Sequence, residues 1–222
     1  MDYLILLISM VITMGAQSFI NNMYKKTRVI KSKSHMTGCE VARKILDENG
    51  LKKVKVLKVE GTLTDHYNPQ EKTVSLSTDI YEGTSLASVS VASHECGHAI
   101  QDKKGYFFLR FRNSIVPFVN IASRLGYIII MISIVMSLFK LLWIGILMEL
   151  VILLFQVVTL PVEFDASNRA LKEILRLEIV DKKEQSSCRG MLTAAALTYV
   201  ASVAAAVLEI LRLLLIARRD DR

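Results

Sequence analysis

The sequence predicts a mainly α, multi-pass membrane protein whose polar part carries a small β hairpin or sheet. Three observations predict it. Hydrophobic residues make up 52% of the 222 positions, and mean hydropathy is +0.38. They gather into runs long enough to cross a bilayer, without the alternation of a half-buried strand. The charged remainder holds two short β-rich stretches bounded by Gly, Asn and Pro.

Tyr3 to Ile20 is 18 residues without a charge, long enough to span. Asp2 is the only early charge and no small-x-small cleavage site follows, so residues 1–22 read as a retained anchor. Thr27 to His35 is basic and suits either anionic headgroups or a solvated linker. Thr37 can cap a helix from Gly38 or Cys39 to about Glu48, with Val41, Ala42, Ile45 and Leu46 on one face and Asn49-Gly50 as its stop. Val54 to Leu63 reads as a strand, Asn68-Pro69 as a turn, and Thr73 to Ser77 as a second strand. Such a pair is either a structural hairpin or an edge that holds an extended peptide by main-chain hydrogen bonds. Thr84 to Gln101 is proline-free and helical, and closes a polar region, 23–113.

Two further spans follow in 114–160: Ser114 to Phe139 and Leu141 to Leu160, with Lys140 between them and almost no loop. Glu149 inside the second reads as an interhelical hydrogen-bond partner. Residues 161–191 form a polar helical segment. The last helix, within 192–222, spans the membrane or lies at its interface, since Glu209 and Arg212 interrupt its second half. Those two are three apart and can pair.

The formal net charge of +7 is not a nucleic-acid footprint, because Lys and Arg follow the spans. Sixteen fall between Asn21 and Asn113 and six between Pro161 and Gly190. The positive-inside rule then puts both segments in the cytoplasm and the amino terminus outside. Four full spans would leave Arg218, Arg219 and Arg222 outside, against that rule. Cys39, Cys96 and Cys188 form no disulfide framework, as expected of reduced thiols.

The chemistry is concentrated in His94-Glu95-Cys96-Gly97-His98. In H-E-x-x-H, two imidazoles one helical turn apart can hold one zinc ion. Glu95 lies about 100° round the helix, within reach of a water on the metal without being a ligand. With 4 His and 12 Glu in the chain, shuffling produces such a match in roughly 0.3% of cases. Gly97 leaves room for a close approach, and Cys96 cannot easily share the face of His94. Catalytic zinc takes three protein ligands and leaves one position for water. His35 lies in the basic linker. His66, at the end of the first strand, is either a surface histidine or, like Tyr81, a hydrogen-bond donor to a reacting carbonyl. The carboxylate candidates are Glu163 and Asp165, just past Leu160-Pro161. Two spans return the chain to the side of the motif, so these carboxylates share its compartment. Being two apart, they face different ways and do not both bind.

The stretches Leu63-Thr64-Asp65-His66-Tyr67, Leu76-Ser77, Val91 to Gln101 and Leu160 to Ser167 together resemble the YugP-type neutral zinc metallopeptidases, bacterial membrane proteins. The resemblance covers nearly the whole chain. It implies a zincin-like, gluzincin-type peptidase core in the plasma membrane, one Zn2+ per chain on His94, His98 and Glu163, and Glu95 as base. More distantly the chain is similar to the HtpX and prenyl-protein peptidases, which follow the ligand Glu with Ala at the third position and Asp at the fourth. Here Ala166 matches, Ser167 stands fourth, and the acid moves to Asp165. Asp165 and Arg169 are therefore candidates to orient a ligand histidine, or else form a helix-end salt bridge.

The expected function is a zinc-dependent endopeptidase with its active site on the cytoplasmic side. It would cut a polypeptide substrate in or near the membrane, with the bilayer and membrane-protein complexes as partners and no nucleic acid. A non-catalytic zinc-braced assembly factor or chaperone is the alternative, and four protein ligands closing the metal would favour it. A site-2-type intramembrane protease places its motif inside a span, whereas Ser85, Ser88, Ser90 and Ser93 make Thr84 to Gln101 too polar.

Overall fold

The structure, a computed structural model, describes residues 2–218. Its elements are α1 (Asp2–Arg28), α2 (Gly38–Glu48), β1 (Lys55–Val59), β2 (His66–Asn68), β3 (Thr73–Ser77), α3 (Thr78–Glu82), α4 (Leu86–Lys103), α5 (Phe107–Val135), α6 (Phe139–Arg176) and α7 (Lys182–Ala217). Four of these helices, α1, α5, α6 and α7, are long and apolar enough to cross a membrane. Only 11 to 28% of their apolar stretches is buried, and a protein surface so rich in exposed Leu, Ile, Phe and Met needs lipid rather than water around it. The chain is thus a mainly α membrane protein with a small sheet. The motif helix α4 is not among the four.

The long helices differ from the sequence reading at their ends. Pro161 sits inside α6, so the polar stretch after Leu160 continues a membrane-length helix instead of starting a new one. The missing N–H of a proline is tolerated within a helix at the cost of a kink or a lost bond. The α5–α6 connection falls at Ser137, whose φ of 54° reverses the chain, and Lys140 lies within the first turn of α6. Helix α7 runs unbroken past Glu209 and Arg212, where Arg212 Nε donates to Glu209 Oε2 at 2.8 Å. Arg219 and Arg222 lie outside the described residues.

The chain forms two compact units. One comprises 2–17, 110–161 and 197–218 among the described residues, all helical, with Ile130, Leu142, Ile146 and Leu213 at its centre. The other, residues 18–109 and 162–196, contains the sheet and the motif. In it, α2 opens on a capping box. Thr37 Oγ1 accepts from Glu40 N at 3.2 Å, and Thr37 N donates to Glu40 Oε2 at 2.8 Å, which satisfies two otherwise orphaned donors. Val41, Ala42, Ile45 and Leu46 are fully buried, on the face the spacing marks out.

The sheet has three strands in the order β1-β3-β2, one more than the sequence showed. The stretch expected to be one strand to Leu63 stops at Val59. Gly61 (φ 106°) and Leu63 (φ 56°) take left-handed conformations that an extended strand cannot absorb. The chain then re-enters as β2, beginning at His66. Strand β1 runs parallel to β3, with Val56 beside Val74, and β2 runs antiparallel to it, with Tyr67 also beside Val74. The hairpin is therefore β2–β3. Its turn is held by Asn68 Oδ1, which accepts from the Gln70 and Glu71 amides at 2.9 and 3.2 Å. Asp65 fixes the entry to β2 by accepting from Ser77 N at 2.7 Å. Strand β3 is buried throughout, leaving β2 as an edge.

Helix α4 is packed on nearly every side. Its serines satisfy themselves: Ser90 Oγ donates to Leu86 O at 2.7 Å and Ser93 Oγ to Ser90 O at 2.9 Å. That is how a helix with so many hydroxyls can be buried outside a membrane span.

Candidate metal centre

Successive turns of α4 bring His94 and His98 to one side, with ring centroids 4.8 Å apart and planes at 83°. Facing them from α6 is Glu163. Its Oε2 lies 3.2 Å from His94 Nε2 and 3.7 Å from His98 Nε2. All three side chains offer a ligand atom within 4.8 Å of the others. Ligands of a tetrahedral ion with bonds of about 2.1 Å sit roughly 3.4 Å apart, so the spacing and the nitrogen–oxygen donor set fit zinc. Asp165, two residues further along α6, points elsewhere, toward Gln101 and Arg169.

The two helices meet closely. A Cβ placed on Gly97 would lie 2.5 Å from the Ala166 carbonyl oxygen, closer than nonbonded atoms approach. Gly97 therefore admits the α6 backbone beside the two histidines rather than a side chain. Gly97→Ala should force α6 away from the motif. The expected cost is about 1–3 kcal/mol of stability with weaker zinc binding, read by thermal unfolding and zinc titration.

On their Nδ1 sides the histidines have partners of their own. His98 Nδ1 lies 3.0 Å from Gln101 Oε1, and His94 Nδ1 lies 3.3 Å from Ser167 Oγ. Gln101 Nε2 donates to Val162 O and to Asp165 Oδ2, both at 2.8 Å. Asp165 Oδ2 also accepts from Arg169 Nε at 2.5 Å, and the Arg169 guanidinium stands 5.9 Å over the Tyr106 ring. Asp165 thus reaches His98 only through Gln101. Gln101, fully buried, is the residue the sequence reading passed over. Its position three after His98 was the available signal, since residues three apart on a helix are neighbours.

Glu95 is 7% exposed. Burial pushes its carboxyl up to about 7, although the neighbouring His94 opposes the rise. Cys96 is buried on the other side of α4, its Sγ 3.6 Å from the Ala42 carbonyl, so it packs against α2. His66 begins β2, exposed, its Nδ1 2.9 Å from Thr64 O. Tyr81 lies in α3, its hydroxyl beside Cys39, which pushes the phenol up from its ordinary value.

A family model described as "Putative neutral zinc metallopeptidase" matches residues 2–218. The chain belongs to that family. It is 40% identical over 201 residues to the "Putative membrane protease YugP" of Bacillus subtilis (strain 168), covering 90% of this chain and 89% of that protein. No solved structure matches.

Proposed function

We propose that this metallopeptidase-family chain is a membrane-embedded zinc endopeptidase, with its site on the cytoplasmic face of a bacterial plasma membrane. His94, His98 and Glu163 would hold one zinc ion. The observation that carries the reading is the convergence of three donor atoms within 4.8 Å, with the unligated carboxyl of Glu95 next to them in the chain. Three protein ligands leave a coordination position for water, as catalysis needs, whereas a purely bracing site would close with four. Zinc bound there supplies a Lewis acid that brings the pKa of a coordinated water toward 7 and polarises a carbonyl.

The chain's own residues do the rest. Glu95 takes the proton of the attacking water and returns it to the departing amine nitrogen. The site's burial keeps bulk water from screening that transfer. Strand β2 presents an unpaired edge, on which an extended peptide can add as a further strand by main-chain hydrogen bonds. His66, at the start of that edge, would donate to a carbonyl of the bound peptide. The cytoplasmic assignment follows the 22 Lys and Arg of the two polar segments. A polypeptide substrate in or near the membrane would suit a chain with four membrane-length helices.

The full chain in lipid nanodiscs should cleave an unfolded reporter such as labelled casein. Chelation should stop cleavage and one equivalent of zinc should restore it. Cleavage that survives complete removal of metal would contradict the reading.

A further inference from the structure

The hydrogen-bond network behind the ligands determines which nitrogen of His98 carries its proton. The Gln101 amide nitrogen has two acceptors, Val162 O and Asp165 Oδ2, each at 2.8 Å. A flipped amide would put its oxygen against both, oxygen to oxygen. The carbonyl Oε1 must therefore face His98 Nδ1 at 3.0 Å, and an acceptor there requires Nδ1 to be the donor. That leaves Nε2, on the side of Glu163, as the nitrogen whose lone pair a metal ion would take. The same amide holds the carbonyl of Val162, the residue immediately before Glu163. One side chain thus sets the tautomer of one ligand and anchors the backbone beside another, although the two lie on different helices.

The partner is also uncharged. A carboxylate behind a metal-bound histidine raises its basicity as well as orienting it. Here the His98 partner is an amide and the His94 partner a hydroxyl, Ser167 Oγ at 3.3 Å. The nearby acid, Asp165, is one residue removed and paired with Arg169 at 2.5 Å. We propose that Gln101 is the positioning residue of this site: it fixes the His98 tautomer, ties α6 at Val162 to the motif helix, and does so without adding charge to either ligand histidine. This rests on the zinc reading above, but its test does not need cleavage.

The experiment compares the full chain in nanodiscs with Gln101→Ala and with the double variant Gln101→Glu/Asp165→Asn. The double variant exchanges amide and acid, so a carboxylate now backs His98 while an amide donates to it. Zinc affinity is read by competition with a chromophoric chelator, ligand geometry by the visible spectrum of the cobalt(II) form, and folding by the melting temperature of metal-free protein. Gln101→Ala should bind zinc roughly 10–100-fold more weakly and change the cobalt spectrum. The double variant should bind zinc more tightly than Gln101→Ala, because the acceptor for His98 and the bond to position 165 return, although a carboxylate cannot donate to Val162 O. Unchanged zinc affinity and cobalt spectrum in Gln101→Ala would overturn the proposal. So would a loss of affinity that follows only from loss of folding and is not recovered by the double variant, since that would make Gln101 a packing strut. If the unaltered chain binds zinc but cleaves nothing, the peptidase reading fails while this one can still hold.

Discussion

Glu95→Gln should leave one zinc per chain and reduce cleavage roughly 10²- to 10⁴-fold, the contribution typical of a positioned general base. The amide has the shape of the acid, so the packing of α4 survives. It cannot accept the proton, so the transfer fails. A second effect has a definite sign. In metal-free protein, burial pushes the Glu95 carboxyl up to about 7, above the ordinary glutamate value of about 4.3. The unfolded chain ionises this group more readily. Its penalty on folding therefore grows as pH rises from about 4 and is fully present above about 7. Metal-free Glu95→Gln should accordingly melt higher than the unaltered chain at pH 8, and the difference should shrink toward pH 4. A bound dication favours the ionised carboxylate, so zinc should narrow the gap. Full cleavage by Glu95→Gln would remove Glu95 from the mechanism.

Glu163→Ala should abolish cleavage by a different route, through loss of the metal. Zinc that binds only the folded chain raises its melting temperature in proportion to the logarithm of ligand over Kd. With the carboxylate gone, two imidazoles remain, and the zinc-dependent rise in melting temperature should largely disappear. Glu163 is 3% exposed, and its Oε2 faces both histidines. Asp165→Ala is the matched control: it removes an acid two residues away that bonds Gln101 and Arg169 instead of the histidines. A normal zinc-induced rise in Glu163→Ala would show that the third ligand lies elsewhere.

Much of this arrangement was legible in the sequence because it is local. The two histidines and Glu95 need only one helix. The return of the chain across two spans offered Glu163 and Asp165 alike, and the choice of Glu163 came from the family resemblance. The third strand was hidden by its composition, since Thr64-Asp65-His66-Tyr67-Asn68 is polar and reads as loop. The break before it depends on left-handed backbone at Leu63, where a leucine gives no warning. Gln101 was missed for a related reason. Its nearness to His98 is local, but its meaning comes from Val162 and Asp165 on another helix. The expected orienting roles of Asp165 and Arg169 become, in the structure, support for Gln101.

The most direct test of the central claim is the zinc-to-chain ratio by native mass spectrometry of the full chain, Glu163→Ala and Asp165→Ala, prepared side by side with zinc supplied. One zinc is expected in the unaltered chain, none retained by Glu163→Ala, and one in Asp165→Ala. Zinc retained at one per chain in Glu163→Ala would contradict that claim.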